Sequence, residues 1–554
     1  MPRAFGLPIA ILVALFAQTI VSGCGTPAHD HHDQEARPAR MHAGTGDHSF
    51  AITTRSPLAQ QWFDQGLNLA YGFNHEEAKL SFEECAKADP DAAMCWWGVA
   101  YVLGPNYNLP GDPERDREAY AAVQKARALS GASARERDYV EAVTARYSAE
   151  APQDRSALDQ KYAAALAKLA KKYPDDLDAQ TLYAESLMDL QPWDLWTAEG
   201  QPKGRALEIV SLIEGVLERD SSHPGANHLY IHAVEASQHP ERGTAAADRL
   251  RAQNLTAAGH LVHMPSHIYA RTGRYADATQ ANVDATEADE AFIAKWKPAG
   301  PYPMMYYPHN VDFQSFAAAM EARSEQAIEN ARKSSALTTP EMVAHMAMLE
   351  NYVPRALFAL VRFGRFDEIL AEPAPAPQLR YATGVWHWAR GLAFVGKGQL
   401  RDADREAAAL AKIEREMPAD VFVTQVNKGK TLLGIASNWL AGEIAAKRGR
   451  TDEAVKRLEH AVALEDTLTY MEPPDWFNPA RHALGAVLLD AGRAKEAEAI
   501  YRADLQRNRE NGWALAGLSQ SLRKQRKTTE AAQVETRLAK AWARADVKPT
   551  SSRY

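Results

Sequence analysis

The sequence predicts an all-α solenoid of stacked helical hairpins. One pattern recurs: a small residue on one helix, a turn, an alanine about twelve residues on, and a large apolar residue four later. It appears with Gly66, Ala78 and Phe82, again with Gly442, Gly449, Ala454 and Leu458, and again with Gly485, Gly492, Ala497 and Tyr501. The small residues let paired helices approach, the central glycine turns the chain, and the large residues fill the gap between hairpins. The second observation is an absence: no Val/Ile-rich alternating run bounded by hairpin turns occurs, so nothing reads as a sheet.

These segments resemble the tetratricopeptide repeat, a helical hairpin of about 34 residues. The likeness covers nearly all of residues 55–545, with looser copies around 105–225. It implies a right-handed superhelix whose first helices line a concave groove through positions two, five, nine and twelve of each repeat.

In chain order, residues 1–23 read as an export signal, with a lone Arg3 and an apolar run too short for a membrane span. Val21-Ser22-Gly23-Cys24 resembles a bacterial lipobox, which implies lipidation at Cys24. The chain is then expected on the periplasmic face of the outer membrane or on the surface of a Gram-negative cell, touching membrane through that lipid only. Residues 24–54 are polar, His-rich and without period, and predict a flexible tether. Hairpins follow over 55–225, His-rich hairpins over 226–335, further hairpins over 336–545 and a tail over 546–554. In an oxidising compartment Cys85 and Cys95 are expected to pair, the alternative being two separate buried thiols.

Eight of the 18 histidines fall between His223 and His309. In GHLVHMPSHIY, a register anchored on Gly273, Ala278 and Ala285 puts His260, His263 and His267 at groove positions two, five and nine. The next repeat places His309 at position two and Asp312 at position five. NHLYIHAVE sets His228 and His232 one turn apart on one face, and Glu185 falls at a groove position one repeat earlier. Imidazoles converging from neighbouring helices suit zinc, copper or iron. The phrases NHLYIHA, HLVHMPSHIY and YPHN also resemble a bacterial subgroup of exported repeat lipoproteins in which they recur together. That resemblance implies their grouping in space and names no reaction.

Aromatic, proline-rich inserts near 104–113, 190–196, 297–308 and 471–479 are longer than hairpin connectors require. They are expected to lie over the groove, with Trp193, Trp196, Tyr302, Tyr306, Tyr307 and Trp476 lining it and His482 facing it from a distant repeat. The 63 basic against 71 acidic side chains leave a net charge of −8, which supplies no basic footprint for nucleic acid. Phosphate loop, nucleophile elbow and HEXXH are all absent from the sequence. The sequence therefore predicts a lipid-anchored solenoid whose groove binds a transition metal, with a small molecule or peptide as a further occupant. Two alternatives stand beside it. One is a metal-dependent hydrolase or oxidoreductase using Glu185, Glu235 or Asp312 as base, and the other is a metal-free scaffold for envelope proteins.

Overall fold

The computed structural model describes residues 40–253, 255–298 and 300–553. The expected signal, the lipid site Cys24 and the first part of the expected tether lie outside these residues.

The chain is an all-α helical-hairpin solenoid, and among the described residues there is no β-strand, only isolated bridges. Its first hairpin shows how the repeat is built. Helix Pro57–Tyr71 starts where the Ser56 side chain accepts from the Ala59 N–H, with Pro57 at the first helical position. It pairs with His75–Ala88, and Ala93–Leu103 opens the next hairpin. Phe82 is the wedge between them, because a Cβ added at Gly66 or Gly98 would lie 2.7 or 2.3 Å from its ring. Tyr501 is held in the same way between Gly485 and Gly517, at 2.4 and 2.1 Å. Cys85 and Cys95 are joined by a disulfide across the first junction, with Cα atoms 5.5 Å apart.

Residues 40–54 are not a free tether. Phe50 is buried against Phe63 and Tyr139, with ring centroids 5.9 and 5.4 Å away. Main-chain N–H groups of His42, Phe50 and Ile52 donate to Gln65, Asp64 and Gln60 at 2.6, 3.1 and 3.0 Å. The polar composition concealed this docking, which rests on one buried aromatic ring and on side-chain acceptors from the first helix and from Glu136 and Asp178.

The C-terminal part of the chain comes back onto earlier hairpins. The Trp513 indole donates to the Ala319 carbonyl at 2.9 Å, and Gln425 reaches the Asn108 carbonyl at 2.9 Å. Asp546 accepts from the Ser324 and Glu325 N–H groups at 2.6 and 3.0 Å, capping helix Ser324–Leu337. Ala39–Tyr554 is one compact unit, so the divisions expected at 225 and 335 mark runs of hairpins within one body. No helix among the described residues is long and apolar enough to cross a membrane.

Candidate metal centre

Helix Pro224–Glu235 begins at His223, whose Nδ1 accepts from the Ala226 N–H at 3.2 Å. It carries His228, His232 and Glu235 at i, i+4 and i+7, so all three share a face. The stretch GHLVHMPSHIY then forms two short helices, Gly259–His263 and Pro265–Arg271, which meet at Met264 because Pro265 has no N–H to continue the ladder. Helix Tyr307–Met320 supplies His309. The six histidines fall into two triads, not one row. His228, His232 and His260 form one, His263, His267 and His309 the other, and within each the candidate ligand atoms lie within 4.8 Å of one another.

Hydrogen bonds fix which nitrogen four of the six rings offer. His228 Nδ1 lies 2.6 Å from the Tyr71 carbonyl, which can only accept, so Nδ1 carries the proton and Nε2 the lone pair. Glu235 does the same for two rings: its Oε1 lies 2.7 Å from His232 Nδ1 and its Oε2 2.6 Å from His267 Nδ1. His263 Nδ1 faces Asn282 Oδ1 at 2.6 Å, and that amide is oriented by its own Nδ2, which donates to the Ala278 carbonyl at 2.8 Å. The Nε2 atoms of His228 and His232, and both nitrogens of His260, are buried and meet no hydrogen-bond partner among the described residues. In the second triad, His263 Nε2 stands 2.8 Å from His267 Nε2 and 3.1 Å from His309 Nε2.

Burial, reinforced by neighbouring imidazoles, pushes His228, His260 and His263 well below the ordinary histidine value, and brings His309 to about 3. Burial also works to raise the Glu235 carboxyl, but the His267 and His232 imidazoles outweigh it and hold the group at about 2. Five of the rings, His228, His232, His260, His263 and His309, are thus favoured in the neutral form beside one carboxylate.

A cavity of about 70 Å³ opens on both triads, lined by His232 and His260 from one and His267 and His309 from the other. Four inserts reach it, through Asn108, Trp193, Met305 with Tyr306, and Met471, Glu472, Pro473 and Asp475. Asp312 lines it as well, paired with Arg355 Nε at 3.1 Å and not with a histidine, and burial raises its carboxyl to about 6 against the pull of that arginine.

The other candidates lie elsewhere. Glu185 accepts from Tyr101 Oη at 2.6 Å in a separate buried cluster beside Arg146. Trp196 packs behind the site, its indole donating to the Ala233 carbonyl at 2.8 Å. Tyr302 accepts from the His260 N–H at 3.0 Å and donates to Asp289 at 2.9 Å, supporting the backbone instead of lining the cavity. Tyr307 turns outward to Glu290, 3.0 Å away. Trp476 is buried in an aromatic core with Phe358, Trp388 and Trp439. His482 is engaged by Asp504 at 2.9 Å and by Arg362 at 3.0 Å, away from the triads.

Sequence reading missed Asn282 and the Tyr71 carbonyl, for which no sequence signal exists, and took Glu235 for a base although its spacing from His232 already marked a shared face. It also missed a third group, in which Asp178 accepts from His48 at 2.8 Å and from Tyr71 Oη at 2.6 Å and has His223 Nε2 at 3.4 Å. Those three donors around one carboxylate form a closed network that docks residues 40–54.

Fold and site together define a helical-hairpin repeat protein with a buried cluster of lone-pair-bearing imidazoles. No family model and no curated protein matches the chain. Among solved structures it is similar to the human IFIT1 dimer with m7Gppp-AAAA, at 12% identity over 89% of this chain and 92% of that one, TM-score 0.33. It is also similar to the APC/C hetero-tetramer Cut9-Hcn1, at 12% identity over 89% and 78%, TM-score 0.32. Yeast Tom70 matches at 11% identity over 86% and 92%, TM-score 0.29. The likeness is one of helical-hairpin construction.

Proposed function

We propose that this chain is a tetratricopeptide-type scaffold that holds a transition metal in its central histidine cluster. One observation carries the reading. His263 and His267 are each protonated on Nδ1 by the logic of their acceptors, so their Nε2 lone pairs face each other at 2.8 Å, with a third imidazole nitrogen at 3.1 Å. Lone pairs at that separation repel unless a cation lies between them. A shared proton would join only one pair, whereas three nitrogens converge, and metal–nitrogen bonds of about 2.0–2.1 Å need little adjustment to fit. Glu235 spends both oxygens on Nδ1 atoms and also accepts from Tyr470 Oη at 3.2 Å, so each triad offers imidazole nitrogens, which favours zinc or copper over iron. The small cavity beside the cluster suits a small molecule better than a peptide. The lipobox-like Val21–Cys24 supports a place on the cell envelope for this metal-binding protein.

Metal analysis of the full chain purified without a His-tag tests the reading. Stoichiometric zinc or copper is expected, and it should fall when His263 and His267 are both replaced by Ala. A metal-free chain that takes up none on titration, or a double variant that binds as much as the unaltered chain, would overturn it.

A further inference from the structure

Resting on the metal-binding reading above, we infer that the cluster holds two ions side by side, one in each triad, as a coupled dinuclear centre under a shared cavity. The triads are built alike. Each takes two histidines at i and i+4, His228 with His232 and His263 with His267, and a third from a following helix, His260 or His309. The second is the first moved one step along the solenoid, as a repeat architecture allows.

Each triad can bind alone. Three nitrogens converge in both, and in both one ring sits behind with its Nδ1 locked: His228 on the Tyr71 carbonyl and His263 on Asn282. The two remaining rings of each triad line the same cavity. Two three-imidazole ions would therefore each keep a free coordination position, and both positions would face one space. That is the arrangement for a ligand small enough to bridge them, such as hydroxide or dioxygen.

The triads are also neighbours. Rings of different triads stand 5.4 Å apart at His232 and His267 and 5.6 Å apart at His260 and His263. Within a triad the spacings run from 4.7 Å for His263 and His309 to 6.4 Å for His232 and His260. The cross-triad spacings fall within the range found inside the triads, so two ions held there would be near neighbours. Glu235 ties them together, one carboxylate oxygen orienting a ligand of each triad and its single charge shared between two cations.

The test titrates the metal-free full chain with Cu(II) and counts ions per chain in the unaltered protein, in His260→Ala, in His309→Ala and in the double variant. Each single substitution is expected to remove one ion and the double to remove two. The electron paramagnetic resonance of the loaded unaltered chain should be that of a spin-coupled pair, giving way to an isolated-ion spectrum in either single variant. If all three variants lose the same one ion, a single metal is shared by the six histidines and the dinuclear proposal is overturned. If the double variant loses none, the metal-binding reading itself falls. Should a substitution unfold the chain, as circular dichroism would reveal, the unaltered protein decides alone: a coupled spectrum supports the pair and an isolated one overturns it.

Discussion

His482 and His260 are both buried to 1% exposure in the same kind of hairpin stack, and they differ in what their nitrogens meet. His482 is fully engaged: Nε2 meets Asp504 at 2.9 Å, Nδ1 takes an Arg362 N–H at 3.0 Å, and Asn511 completes the carboxylate at 2.9 Å. His260 has neither nitrogen engaged, and its neighbours His228 and His232 each leave Nε2 open. Burial alone therefore does not tell these two histidines apart, whereas the inventory of hydrogen-bond partners does. Both nitrogens of His482 are satisfied as they stand, and under the proposed reading a cation would satisfy the open nitrogens of the central rings.

Loading the site with metal should widen this difference most. At free metal about a thousand times Kd, binding adds about 4 kcal/mol of stability. A rise in Tm should register it, present in full in His482→Ala and smaller when His263 and His267 are both Ala. Next, His482→Ala should cost about 3 kcal/mol, because it takes one donor from the buried Asp504 carboxylate and the acceptor from the Arg362 guanidinium, although Asn508 and Asn511 still hold Asp504. Urea denaturation would measure that cost, with metal content unchanged. Gly517→Ala drives a methyl into Tyr501 and should cost about 2 kcal/mol, again without touching the metal, so that a loss of ions in this variant would mean the two regions are coupled. The smallest effect belongs to His260→Leu in the metal-free chain. No side-chain hydrogen bond is lost there, so stability should move by less than about 1 kcal/mol while metal uptake falls. A large destabilisation would reveal a partner for that ring and weaken the contrast.

The fold was legible because its rule is local. Gly66, Ala78 and Phe82 announce the wedge within one hairpin, and Gly98 completes it in the next. The histidine pairs were legible too, since helical spacing puts i and i+4 on one face. Their division into two triads was not, because it depends on where His260 and His309 arrive from other helices and on the break at Pro265. Glu185 was misplaced where the repeat is loosest and its register least constrained. Trp476 and Trp196 were aromatic residues in inserts, and composition does not tell a ring that covers a cavity from one that folds back into the core. His482 had the right repeat position and the wrong neighbours.

An open stack of repeats touches only its nearest neighbours, so it can fray from either end and lose hairpins one at a time. Here Trp513 hangs on Ala319, and Asp546 caps the helix that begins at Ser324. Removing the last few residues would strip the start of a helix more than two hundred positions earlier in the chain. The chain is in that sense fastened like a belt, and its unfolding should be cooperative across the body where a linear solenoid would peel.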